Sequence, residues 1–487
     1  MELTLIVFIP AVVAAIILLL PESREAYARW LALSASVAVT ALSAILFLQF
    51  DIDEGGYQFV VRETWVDVGS FELNYALGVD GLSMPLIALT ALLTVASVLI
   101  SFSVKERQRL YYAMLLLLAT SVFGVFASLD FLLFFLFWEL ELAPMFLLIA
   151  IWGSGRKEYA ATKFVLYTIA GSAFMLVAIL TLAFNAGTFD IEELGRMEFA
   201  DPVLPLRMVF VFLFIGFAVK LPIVPLHTWL PDAHTNAPTA VSVMLAGVLL
   251  KMGGYGIIRM CVTMLPEQAD DFAIWMAAIG AISVLYGAFV TLRQTDVKRL
   301  IAYSSVSHMG LVLLGISALG TTGLAGATYQ MVAHGVITGL LFVMVGLMYE
   351  RTHTREIARL GGLARQMPLL ATGLVFAGFA SLGLPALAGF IAEVTVFIGA
   401  FDRFEWAVIA SIFGVVLSAG YVLWLLERVT FGPVKPEWDG LRDQDLWWEH
   451  GAVACLAVFV VLLGVYPALL MDMIDPALAG VAARVGL

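Results

Sequence analysis

The chain has 487 residues, of which 62% are hydrophobic and 13% charged, with a formal net charge of -12 and a mean hydropathy of +0.99. Soluble globular domains carry about 25% charged residues, so this composition excludes a water-soluble enzyme, a disordered tail and a nucleic-acid binder. It fits a chain embedded almost entirely in a lipid bilayer.

A span needs roughly 20 mostly apolar residues. Stretches that qualify lie near 3–20, 30–49, 81–103, 110–128, 130–151, 161–186, 206–226, 238–262, 271–291, 299–319, 322–349, 367–400, 406–430 and 450–471, about fourteen in all. The expected fold is an all-α polytopic membrane protein. The first stretch has Glu2 where a signal peptide would carry a basic residue, and no small-residue cleavage site follows, so it is read as a span. With both termini outside, the inner loops and adjoining span ends hold 18 of the 26 Lys and Arg residues and the outer ones 6; Lys220 and Lys251 fall within spans. That bias is what the positive-inside rule demands, and one missed span would scramble it. The outer loops at 50–80 and 187–205 are acidic and are expected to carry short strands or caps.

Five ionisable residues sit deep in apolar runs: Glu139, Glu141, Lys220, Lys251 and Glu393. A charge at mid-membrane costs about 2.5–3.5 kcal/mol even on lenient insertion scales, so these must face one another, water or a partner. Glu139 and Glu141, in Phe137-Trp138-Glu139-Leu140-Glu141-Leu142, are two apart, about 200° around a helix, and cannot share a face. One points into the bundle and the other toward a neighbouring helix; the alternative is a pair that only orders the bundle. Lys220 precedes Leu221-Pro222-Ile223-Val224-Pro225. Pro222 clashes with the carbonyl at Ala218, so the helix should break just past the lysine and free carbonyls beside it. Lys251 sits between Leu245-Ala246-Gly247 and Gly253-Gly254, small residues that permit close helix packing.

Glu393 follows Gly383-Leu384-Pro385 and Gly389, a second break in a long apolar run. The two broken helices lie five spans apart and therefore run in opposite directions. That is the mark of two inverted five-helix repeats. The implied organisation is three N-terminal helices over 1–109, a first repeat over 110–262, a second over 271–430, and a final helix with a tail over 431–487. His308 and His334 add imidazoles, which titrate near neutrality and can pass a proton between ring nitrogens. Lys298 lies at the inner end of its span, where it also reads as plain positive-inside charge. His227 and His234 flank Trp229-Leu230-Pro231-Asp232; irregular spacing argues for loop structure or proton uptake rather than a metal site. The two cysteines, Cys261 and Cys455, form no CxxC or Cys/His cluster, which argues against a disulfide framework, structural zinc or an iron–sulfur cluster on this chain.

Ordered along the mid-plane, the set reads Glu139, Lys220, Lys251, His308 and His334, Glu393. Alternating acid, bases and acid is a proton relay if each step lies within hydrogen-bond reach or one bridging water. No phosphate loop, dinucleotide fingerprint, Ser/His/Asp arrangement or cofactor ligand set accompanies it, so the driving energy must come from elsewhere.

At these residues, and at Pro225-Leu226-His227-Thr228-Trp229-Leu230-Pro231-Asp232-Ala233-His234 and Arg299-Leu300-Ile301-Ala302-Tyr303-Ser304-Ser305-Val306-Ser307-His308-Met309-Gly310, the sequence resembles the proton-pumping membrane subunits of respiratory complex I. These are related to Mrp-type sodium/proton antiporters. The resemblance implies a fourteen-span fold with inverted repeats, in which Glu139 and Lys220 match the coupled Glu–Lys pair and Lys251 the central lysine. His308 and His334 match the central polar axis, and Glu393 the terminal ionisable residue. A terminal glutamate is similar to subunit M, or chain 4; the L and N types carry a lysine there, and the sequence through Leu487 shows no lateral helix of the L type. The doublet Glu139/Glu141 resembles the photosynthetic version. The resemblance implies L- and N-type partner subunits, including the lateral helix of the L type. It also implies quinone, flavin and iron–sulfur clusters on partner subunits, none of them on this chain. The expected location is a prokaryotic plasma membrane, or one of thylakoid type. The competing readings are the D-type member of an Mrp sodium/proton antiporter and an inert scaffold.

Overall fold

The structure is a computed structural model that describes residues 1–67, 72–197, 199 and 202–485. Parts of both acidic loops, residues 68–71 and residues 198, 200 and 201, lie outside the described residues, as do the last two residues of the tail. The helices α1 (Glu2–Leu18) and α2 (Ala28–Gln49) precede an antiparallel hairpin of β1 (Gln58–Asp67) and β2 (Glu72–Val79), in which Val61 faces Leu77 and Glu63 faces Tyr75. The acidic loop at 50–80 thus carries the short strands its composition suggested. There follow α3 (Ser83–Ile100), α4 (Gln108–Ala127), α5 (Phe131–Leu140), α6 (Leu142–Trp152), α7 (Lys157–Ala186) and the one-turn α8 (Ile191–Leu194). Pro144 cannot donate to the carbonyl of Leu140, which accounts for the break between α5 and α6 at Glu141.

The first broken helix is α9 (Leu206–Lys220) followed by α10 (Trp229–Asn236). The next span, Thr239–Val262, joins α11 (Thr239–Met244) and α12 (Leu250–Gly256) through a π-helical turn at Leu245–Leu249 and ends in another at Ile257–Val262. Beyond it run α13 (Pro266–Thr291), α14 (Val297–Ser317), α15 (Thr321–Thr352), the short α16 (Leu363–Gln366), and the second broken helix, α17 (Pro368–Ser381) into α18 (Ala388–Leu426). The chain closes with α19 (Trp447–Val465) and α20 (Ala468–Val485).

Among the described residues, eleven helices are long and apolar enough to cross a membrane. The difference from the fourteen expected falls at three places. Helix α1 has 17 residues, α9 stops at 15 beside its break, and α18 runs on for 39 residues through a non-helical Phe404. Helix α20 was not anticipated. Its buried Leu470, Met473, Ile474, Leu478 and Val481 recur at helical spacing, a pattern that a hydropathy window does not detect.

The apolar middles of the spans Thr239–Val262 and Thr321–Thr352 are wholly buried, and that of Val297–Ser317 nearly so. A helix apolar on every side belongs at the centre of a bundle. These three helices carry Lys251, His334, Lys298 and His308. Close approach is built from glycine: a Cβ on Gly253 would lie 2.5 Å from Leu221 N and Phe217 O, pressing against the α9 break.

Candidate functional site

The first cluster forms where α5, α7 and α9 meet. Lys220, the last residue of α9, makes an ion pair with Glu141, and both side chains are fully buried. Apart from that pair, neither Lys220 Nζ nor the Glu141 oxygens have a hydrogen-bond partner among the described residues. Aromatic faces enclose the ammonium: Nζ lies 5.3 Å from the Trp138 ring and 5.4 Å from the Phe164 ring, distances at which ring quadrupoles attract a cation. The helix breaks where Pro222 requires it. Of the carbonyls so freed, Val219 O accepts from the Trp229 indole at 2.9 Å and Ala218 O only a long 3.4 Å bond from Ile223 N. The doublet divides as its spacing dictates, with Glu141 pointing inward. Glu139 is half-buried with an unpartnered buried Oε1. It acts on Lys220 through space rather than by contact. Lys220 thus touches Glu141 and feels Glu139 at a distance, so both acids of the doublet bear on the lysine.

The second cluster lies on the central helices. Lys251 Nζ donates to Ala246 O, a carbonyl of the π-helical turn, and sits 2.7 Å from His334 Nδ1. Nearby, His234 is fully buried and stacked on Phe342 at 4.6 Å, with both ring nitrogens unpartnered among the described residues. Lys298, 3% exposed, donates to Ala237 O at 2.7 Å. Lys251 and Lys298 both act electrostatically on the His234 ring.

The third cluster follows directly. The rings of His334 and His308 are 5.5 Å apart, and His308 Nδ1 lies 3.7 Å from Glu393 Oε1. A small cavity touches His308, Gln330, His334, Ser381 and Glu393, with room for a water centre of about 10 Å³, on the order of one water site. Glu393 is tucked under the second helix break. Gly383 has φ +76, and a Cβ there would lie 2.6 Å from Glu393 Oε2. Glycine is required at that position by both conformation and space.

A protein-family model described as NADH:quinone oxidoreductase/Mrp antiporter, transmembrane, matches residues 128–418. The chain belongs to this family. Subunit M of the NADH-quinone oxidoreductase of Rhodobacter capsulatus is 42% identical over 493 residues, covering 98% of this chain and 95% of that one. Chain 4 1 of the NAD(P)H-quinone oxidoreductase of Synechococcus elongatus is 42% identical, over 99% and 92%. Respiratory complex I from Thermus thermophilus contains a chain that superposes with a TM-score of 0.91 at 30% identity, each chain covered fully. A chain of the Mrp complex from Dietzia sp. superposes with a TM-score of 0.86 at 20% identity, covering 99% and 98%; this likeness speaks to the fold alone. The chain is thus a multi-pass membrane protein of the complex I subunit M type.

All of the expected site residues, from Glu139 to Glu393, fall inside the family-matched region. The structure also supplies polar groups that the sequence reading passed over. Gln330 and Thr338 stand four residues before and after His334 on one face of α15; Gln330 Nε2 is 3.4 Å from His308 Nδ1, and Thr338 Oγ1 is 3.4 Å from His334 Nδ1. That i, i+4, i+8 spacing was the available signal. At the C-terminal end of the span Thr239–Val262, Arg259 donates to both carboxylate oxygens of Asp80 at 2.6 Å beneath Tyr57. Burial pushes the Tyr57 phenol up, against the pull of Arg259. No group of three metal-ligating side chains occurs among the described residues.

Proposed function

We propose that this chain is a proton-translocating, antiporter-like membrane subunit of a complex I-type quinone oxidoreductase. It moves protons through the buried Glu141–Lys220 pair, Lys251, His334, His308 and Glu393. Glu139, His234 and Lys298 set the fields at the ends of that relay. The observation that carries the reading is the unbroken sequence of buried contacts from Lys251 Nζ through His334 and His308 to Glu393. Together with a fully buried Lys–Glu pair in the other half, it is the kind of arrangement that marks ion pathways inside membranes. The fourteen-span organisation and the paired inverted repeats belong to this reading, with the two broken helices placing one site in each half.

In this reading the chain takes part in the oxidoreductase without holding redox groups. Quinone, flavin and iron–sulfur clusters sit on partner subunits, and subunits of the L and N types flank it, with the L-type lateral helix alongside. It resides in a prokaryotic plasma or thylakoid-type membrane with both termini outside. The Mrp-type antiporter alternative shares the fold, whereas the 42% identity runs to quinone oxidoreductase subunits. The test is Lys220→Ala in the intact complex, reconstituted into vesicles and assayed for quinone-linked proton uptake. Uptake should collapse while the complex still assembles. Uptake at the unmodified rate would overturn the reading.

A further inference from the structure

We infer that a second proton path joins the relay at Glu393 and reaches the basic end of the bundle through Ser381, Tyr421 and Ser304. This rests on the transport reading above. Ser381, the last residue of α17, lines two small cavities at once: the Glu393 cavity and a second bordered by Ser304, Tyr421, Leu300, Leu374 and Leu426. The second cavity also has room for a water centre of about 10 Å³. Tyr421 is 1% exposed, and its hydroxyl faces Ser304 across the second cavity. It stands within electrostatic reach of Glu393. A buried hydroxyl that meets Ser304 on one side and stands near a terminal acid on the other, beside a water-sized cavity, has the position of a carrier.

The far end of this path is defined by its neighbours. Leu300 follows Lys298 and Arg299, and Leu426 precedes Glu427 and Arg428. These mark the basic side of the membrane, the same side reached by Lys298 and His234. The relay therefore has two connections to that side, one at the central lysine and one at the terminal acid. The cavity is tightly closed on one wall: a Cβ on Gly378 would come within 3.1 Å of Leu426 and 3.2 Å of Val422.

The transfer is balanced at each step. A proton delivered by water from the basic side binds the Tyr421 oxygen as the phenol releases its own proton toward Glu393. The phenol is neutral before and after, Glu393 passes from carboxylate to carboxylic acid, and nothing is oxidised or reduced.

The experiment uses the intact complex in proteoliposomes and compares Tyr421→Phe, Ser381→Ala and Gly378→Val with Lys220→Ala. Proton uptake per unit time should fall at least threefold in Tyr421→Phe. Its solvent deuterium isotope effect should rise above that of the unmodified complex, because a proton step has become limiting; a purely structural role would leave that ratio alone. Should Tyr421→Phe fail to assemble, Ser381→Ala carries the same two expectations. Gly378→Val, which fills the cavity without touching a titratable group, should slow uptake as well. Unchanged uptake, or slowed uptake with an unchanged isotope effect, overturns the second path. If Lys220→Ala abolishes uptake while the Tyr421 and Ser381 variants do not alter it, only the second path falls. If Lys220→Ala is also silent, the transport reading falls with it.

Discussion

Replacing Glu141 by glutamine tests which carboxylate governs Lys220. Both members of the pair are fully buried, and neither has another hydrogen-bond partner among the described residues. Removing one partner of a buried pair strands the other charge, at a cost of about 3–5 kcal/mol. At 1.4 kcal/mol per factor of ten, that disfavours the charged lysine by a factor of about 10² to 4 × 10³. Quinone-linked proton uptake by the Glu141→Gln complex should therefore fall at least tenfold. Glu139 is half-buried and makes no ion pair with the lysine, so Glu139→Gln removes only a through-space attraction, worth on the order of 1 kcal/mol, and should slow uptake less. The double change Glu141→Leu/Lys220→Met separates folding from function. Substituting apolar groups for a buried pair is often neutral or stabilising, so its thermal stability should recover above that of Glu141→Gln while uptake stays lost. A Glu139→Gln defect equal to or larger than that of Glu141→Gln would refute the pairing.

Three further outcomes follow from the geometry. Gly383→Ala places a Cβ 2.6 Å from Glu393 Oε2 at φ +76; it should cost about 1–2 kcal/mol in conformation alone and lower uptake, both checked by melting and vesicle assays. Arg259→Ala strands the buried Asp80 carboxylate and should destabilise the complex by about 3–5 kcal/mol, whereas Arg259→Ala/Asp80→Asn should recover much of that loss in the same melt. His334→Phe removes the acceptor 2.7 Å from Lys251 Nζ and should abolish uptake with the complex still assembled, read by subunit content on a native gel.

Much of the site was visible as chemistry out of place. Lys220, Lys251 and Glu393 announced themselves because a charge in an apolar run has no inexpensive structural explanation, and Pro222 and Pro385 marked where backbone would be freed. Which of Glu139 and Glu141 faces the lysine was not legible. Two residues two apart are distinguished only by helix phase, and that phase is set by how Pro144 interrupts the helix. Tyr421 and Ser381 were invisible for another reason: a hydroxyl in an apolar helix is common, and only the juxtaposition of three distant helices gives it a role. The helix α20 escaped because it is amphipathic and reads as tail by hydropathy.

The two lysines of the proposed relay are held in opposite ways, and that asymmetry bears on how such a relay would switch. Lys220 faces a carboxylate, so one positive and one negative charge cancel locally. Lys251 faces a carbonyl and an imidazole, both neutral acceptors when the lysine is charged. A proton on His334 as well would place two positive charges 2.7 Å apart, a repulsion of about 6 kcal/mol even at an effective dielectric of 20. Lys251 and His334 therefore hold one excess proton between them, not two. That proton can move onto the imidazole only as the lysine becomes neutral. Once there, it stands beside His308 and, beyond it, Glu393. Neutralising the centre in turn removes a repulsion acting on His234. In the proposed relay, arrival of a proton from the basic side and departure of the one ahead of it are thus coupled through charge.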